Sequence, residues 1–275
     1  MKKVLLILFL ALTQTSQTEA IVEKDYDSPI SFQVEMLPWN EVNEILPRYA
    51  YFTVIDVETK KSFKVQRRAG MYHADVQPLT TDDTKIMKEI FNGKWSWKRR
   101  AILILDEDRL LAASMHGMPH GAGALANNFP GHFCIHFFGS ITHSSNKMDL
   151  SHLLMTLKAA GKLDEYLTGL TPSETVKAFI ASIEQQDLYL FNFMSLQKIT
   201  EMNDKQFYDI KAIRLQELHI DSDQNPLRGG VNIPVTLSVL TESGERKVSM
   251  NILLVRTSPL ESWRVDSKKF FKKLN

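Results

Sequence analysis

Near residue 170 the spacing of apolar residues changes, and this change constrains the fold more than any other feature of the chain. The stretch "LTPSETVKAFIASIEQQD" puts Thr171 at an N-cap, Pro172 at the first helical position and Glu174 three residues after the cap, which makes a capping box with the proline that helix starts favour. Val176, Phe179, Ile180 and Ile183 then fall on one helical face. Downstream, "KAIRLQELHIDS", "VNIPVTLSVLTESG", "RKVSMNILLVRTS" and "SWRVDS" carry strand patterns, with "ESGE" turning between the middle two. A helix followed by a long-stranded antiparallel sheet makes an α+β unit. The 275 residues suffice for two domains, with expected bounds of 28–168 and 170–275.

The first of these domains reads as mainly β. "YAYFTVIDVETKKSFKVQRRAG" alternates apolar and polar residues on both sides of "ETKK", a hairpin pattern. "LTTDDTKIMKEIFNG" predicts a helix capped by Thr80 or Thr81 and stopped at Gly93. "RRAILILDEDRLLAASM" predicts two strands about a tight turn. After a loop rich in Gly, Asn and Pro comes the strand "HFCIHFFGS", and then a helix in "MDLSHLLMTLKAAGK" with Asp149 as N-cap and Gly161 as its stop.

The first twenty residues differ from the rest. Lys2 and Lys3 precede an apolar run from Val4 to Leu12, and Thr18-Glu19-Ala20 suits a cleavage site, so residues 1–20 are expected to be a secretory signal peptide. The expected location is secreted and extracytoplasmic. Membrane contact is expected only through the signal segment, if it stays uncleaved. A hydrophobic content of 44%, a charged content of 24% and a net charge of +1 leave no basic excess to attract nucleic acid, which is not expected as a partner.

The chain has a single cysteine, Cys134, so no intrachain disulfide can form in an oxidising compartment. Around it stand His116, His120, His132 and His136. Side chains two apart on a strand share a face, so His132, Cys134 and His136 line up together while Phe133 and Ile135 face the core. A neighbouring imidazole that takes the thiol proton gives a thiolate and imidazolium pair, each charge stabilising the other, and the imidazolium can then protonate a leaving amine.

A histidine followed by glycine, then a loop, then the run Gly131, His132, Phe133, Cys134, Ile135, His136 resembles the active-site signature of the L,D-transpeptidase catalytic domain, a β-rich fold of exported bacterial enzymes. The resemblance implies Cys134 as the nucleophile, His132 as the histidine two residues before it, and a peptidoglycan stem peptide or other cell-wall peptide as partner and substrate, with no cofactor. The upstream base stays open between His116 and His120. Pro119 fixes the chain before His120, and Gly121 in the Gly-Ala-Gly that follows can let backbone approach a substrate. Three positions depart from the family pattern: Gly131 replaces a hydroxyl residue, Phe133 a glycine, and His136 an Asn or Arg. The C-terminal segment resembles the nuclear-transport-factor-2-like fold, a cone in which helices close over a curved sheet.

"GKWSWKRR" offers Trp95 and Trp97 as an aromatic platform beside cations such as Arg99, for a sugar or an acidic peptide; the alternative is core tryptophans and a solvated basic edge. His73 and Asp75 in "YHADV", after the hairpin, could complete a site at the thiol from a distance, but a loop pair is the favoured reading. The two HxxxH pairs suit zinc by donor type. Ligands alternating along one strand do not all reach one tetrahedral ion, however, and residues 116–140 contain no acidic group, so no metal is expected. The function that the resemblance implies is a cysteine acyltransferase of the L,D-transpeptidase type, acting on peptidoglycan stem peptides. The alternatives are a non-catalytic cell-wall binding protein on the same fold and a His/Cys metal-dependent hydrolase.

Overall fold

The computed structural model describes residues 33–142, 147–200, 205–219 and 229–274. The expected signal peptide at 1–20 lies outside the described residues. Among those described, no helix is long and apolar enough to cross a membrane.

The described residues begin with β1 (Val34–Glu35) and α1 (Trp39–Ile45), followed by β2 (Tyr51–Asp56), β3 (Ser62–Ala69), β4 (Ala74–Pro78) and α2 (Thr81–Ile90). Next come β5 (Arg99–Asp106), β6 (Arg109–His116) and β7 (Phe133–His136), then α3 (Leu150–Ala159) and α4 (Leu163–Thr168). The strands pair in the order β6-β5-β2-β3-β4-β7, and β7 returns to β6, with Met115 opposite Ile135, so six strands close into a barrel. β1 lies outside this closure, parallel to the start of β6. Alternation fills the interior: Val54, Val65, Ile102, Met115, Phe133 and Ile135 belong to one buried cluster. Thr80 caps α2 with the expected reciprocal box, its side chain accepting from Asp83 N while the Asp83 carboxylate accepts from Thr80 N.

The second half contains α5 (Pro172–Gln185), α6 (Leu188–Met194) and α7 (Lys205–Asp209), then β8 (Ala212–Leu218), β9 (Gly230–Thr241), β10 (Gly244–Val255), β11 (Arg264–Val265) and α8 (Ser267–Leu274). The four strands form an antiparallel sheet in the order β11-β10-β9-β8. "SWRVDS", read above as a strand, supplies only two strand residues before α8 begins. Asp266 accepts from Lys269 N at 3.1 Å and so caps this helix, which buries Phe270, Phe271 and Leu274. Helix α3 packs on β5 and β6 from outside the barrel. Its Leu154 and Met155 share one continuous core with Ala101 and Ala112 of the barrel wall, Phe179 of α5, and Ile233 and Leu254 of the second sheet. The two expected domains thus share a common core across the boundary drawn near residue 169.

A buried ion pair ties β2 to β5. Asp56 is fully buried and accepts from Arg100 Nε at 2.6 Å and Nη2 at 2.8 Å, and from Thr59 N and Oγ1. Burial alone raises its carboxyl pKa, but the Arg100 hydrogen bonds and charge, helped by Thr59, bring it below the ordinary 3.8. A carboxylate depressed in the folded state stabilises above its unfolded pKa, and that contribution is lost as pH falls through it. Urea unfolding from about pH 5 to about pH 3 should therefore show Asp56→Asn less stable than wild type at the upper end, with a smaller loss on acidification. Parallel pH curves for the two proteins would contradict this.

Candidate active site

Strand β7 sits between β4 and β6, at the seam where the barrel closes. With Phe133 and Ile135 turned into the barrel, Cys134 and His136 face outward. Asp75 is the direct cross-strand partner of Cys134, and Ser114 that of His136. Asp75, read from sequence as part of a loop, is in fact a residue of β4.

Just before β7, His120 and His132 form an isolated bridge in which each amide donates to the other's carbonyl at 2.9 Å. Gly131 makes the bridge possible. Its φ is +129°, and a Cβ there would lie 2.4 Å from the His120 carbonyl oxygen. At Gly121, with φ +61°, a Cβ would meet His132 Cε1 at 2.3 Å, so this glycine admits a histidine ring of the protein itself rather than a substrate. A further ring comes from α3, where Asp149 caps the helix by accepting from His152 N at 2.9 Å. His152 lies flat against His136, ring centres 3.8 Å apart, and its Nδ1 pairs with Ser114 Oγ at 3.0 Å.

Among the described residues six histidines gather here, although a thiol and base pair needs one. Cys134 Sγ is 3.3 Å from His120 Nε2 and 3.5 Å from Asp75 Oδ1. His120 Nδ1 faces the Met118 carbonyl at 3.2 Å, and a carbonyl can only accept, so Nδ1 carries the hydrogen and Nε2 offers its lone pair to the sulfur. His132 is fixed in the same way by Ala122 O, and its Nε2 stands 3.8 Å from Asp75 Oδ1. His73 donates from Nδ1 to Ile141 O at 2.8 Å and meets Asp75 Oδ1 with Nε2 at 3.2 Å. The site's outer wall is Trp97, 52% exposed, with its ring centre 4.8 Å from that of His116 and 5.7 Å from that of His120.

Burial raises the Asp75 carboxyl, yet the hydrogen bond and charge of His73, with His132 and the thiol, bring it down to about 2. A fixed negative charge therefore sits beside the sulfur. Burial and that charge together push the Cys134 thiol well above its usual range. Burial lowers His120, and it takes His116 down to about 3 with help from His120 and Arg99; His136 and His152 also fall well below the ordinary histidine value. The resting site is thus a neutral thiol facing a neutral imidazole. This corrects the expected thiolate and imidazolium pair: Cys134 is only 5% exposed and its sulfur has a carboxylate as its neighbour.

All five proposed catalytic residues, His116, His120, His132, Cys134 and His136, meet in this cluster, as does Trp97. Gly121 also lies here, against the His132 ring, and Arg99 stands opposite His116 across the β5–β6 pairing; the remaining proposed substrate contact, Trp95, lies elsewhere. Trp95 packs edge-on to Phe129 against the barrel core, and Arg99 pairs with Asp149 at 2.7 Å at the start of α3. Sequence reading passed over His152 and set aside His73 and Asp75, because each reaches the sulfur's neighbourhood from a separate element. The available signal was composition alone: histidines are few, and "YHADV" and "DLSHLL" hold two of them. Two trios bring one donor atom from each member within 4.8 Å of the others, as metal ligands would: His73, Cys134 and His136, and His116, His120 and Cys134. Asp75 supplies the acidic group that residues 116–140 lack. No protein-family model matches this chain, and no curated protein matches it either.

Proposed function

We propose that the chain is an exported cysteine acyltransferase of the L,D-transpeptidase type, acting on peptidoglycan stem peptides at the cell wall. The observation that carries this reading is the 3.3 Å approach of Cys134 Sγ to the lone pair of His120 Nε2, in a ring whose tautomer is held by Met118 O. Because the resting thiol is neutral, the proton moves during attack. As Sγ bonds to the substrate carbonyl carbon, His120 Nε2 takes the thiol hydrogen. His120 then returns that proton to the departing amine, leaving a thioester on Cys134. An acceptor amine attacks the thioester, and its proton passes through His120 back to the sulfur. Asp75 favours the charged His120 ring that exists between these steps. Trp97 borders the sulfur's surroundings and is available to stack on the donor.

The test is digestion of bare sacculi with the purified protein, followed by mass analysis of crosslinks and released amino acids. Wild type should release a terminal amino acid and form new crosslinks, and Cys134→Ala should do neither. Identical products from both would end this reading. The 5% exposure of Cys134 favours the second reading, a non-catalytic cell-wall binding protein on the same frame. Under that reading sacculi retain both proteins equally and their chemistry stays unchanged.

A further inference from the structure

We infer that His116, His120 and Cys134 form a binding site for a single thiophilic divalent transition ion of the zinc class. This goes beyond the acyl-transfer reading and does not depend on it. Sequence alone disfavours a metal because His132, Cys134 and His136 alternate on one strand. In the folded chain the converging donors come from three places: the end of β6, the loop after it, and β7.

Zinc binds thiolate at about 2.3 Å and imidazole at about 2.0–2.1 Å, which puts sulfur and nitrogen roughly 3.5 Å apart across a tetrahedral edge. The sulfur and His120 Nε2 are already 3.3 Å apart. His116 brings a ring donor within 4.8 Å of both, so closing the trio takes about an ångström of side-chain movement. His116 is 4% exposed, and its Nδ1 is buried without a hydrogen-bond partner. An unsatisfied nitrogen in such a place has no structural purpose in the bare protein, and coordination at this ring would give it one. The competing trio uses His73, which already holds Ile141 O and Asp75. Asp75, 3.5 Å from the sulfur, supplies negative charge beside the ion without being a ligand. On binding, the Cys134 S–H bond breaks, its proton leaves to solvent, and the sulfur–metal bond forms. The ion then holds the proposed nucleophile and its base together, so a loaded chain has a masked thiol.

The probe is cobalt(II), titrated into chelator-treated full-length protein and followed by absorption. The expected result is one ion per chain with a thiolate-to-cobalt charge-transfer band. That band should vanish in Cys134→Ser, and His116→Ala should weaken binding by at least about tenfold. His136→Ala should bind as wild type does. Absence of the band in wild type overturns the proposal, as does a band that survives in His116→Ala and is lost in His136→Ala. Thermal melting of each ion-free variant checks its fold. If Cys134→Ser does not fold, zinc(II) added to wild type should block alkylation of Cys134 until a chelator is added, and unchanged alkylation refutes the site. The two readings fail separately. Inactivity on sacculi with the cobalt band intact removes only acyl transfer, while crosslinking without a band removes only the ion site.

Discussion

His120→Ala should slow the proposed acyl transfer by about 10²- to 10⁴-fold, the usual contribution of a positioned general base. The size follows from the neutral resting state. Burial and Asp75 hold the thiol protonated, so the protein has no stored thiolate to fall back on when its acceptor is removed. No other ring makes a hydrogen-bond contact to the sulfur among the described residues. His116→Ala, acting on sacculi under the same conditions and freed of metal, should lose much less activity. Crosslink formation measured across the two variants decides the matter, and equal rates for His120→Ala and wild type would remove His120 from the reaction.

Phe133→Ala is expected to destabilise the chain by about 3–5 kcal/mol, the usual loss for a large aromatic ring deleted from a packed core. Phe133 is fully buried in the barrel, with ring centres 6.2 Å from Phe63 and 5.7 Å from Phe129. It lies between His132 and Cys134 in sequence and faces the opposite way. The resemblance to L,D-transpeptidases sets it against a glycine; here the residue fills the barrel. Urea unfolding gives the value, and a loss below about 1 kcal/mol would mean that the barrel collapses around the gap.

Local chemistry was legible in the sequence. Thr80, Asp149 and Thr171 cap their helices because a cap needs only residues two or three positions away. The facing of Phe133 and Cys134 follows from the two-residue period of a strand. The closing contact between β6 and β7 carries no such signature, since it depends on the twist and tilt of six strands together. Asp75 reaches Cys134 across 59 positions of sequence, and His73 lies just outside the strand that carries it. Helix α8 went unread: Phe270, Phe271 and Leu274 with lysines between them carry its pattern, but the strand pattern before them masked it.

The shared core around α3 has a consequence for cutting the protein in two. A fragment ending near residue 169 would turn Leu154 and Met155 toward water, and the helix that carries His152 would lose its outer support. The histidine-rich corner of the barrel is therefore held in shape by a sheet that begins some sixty residues after α3 starts, and neither half is a self-sufficient tool for studying the other.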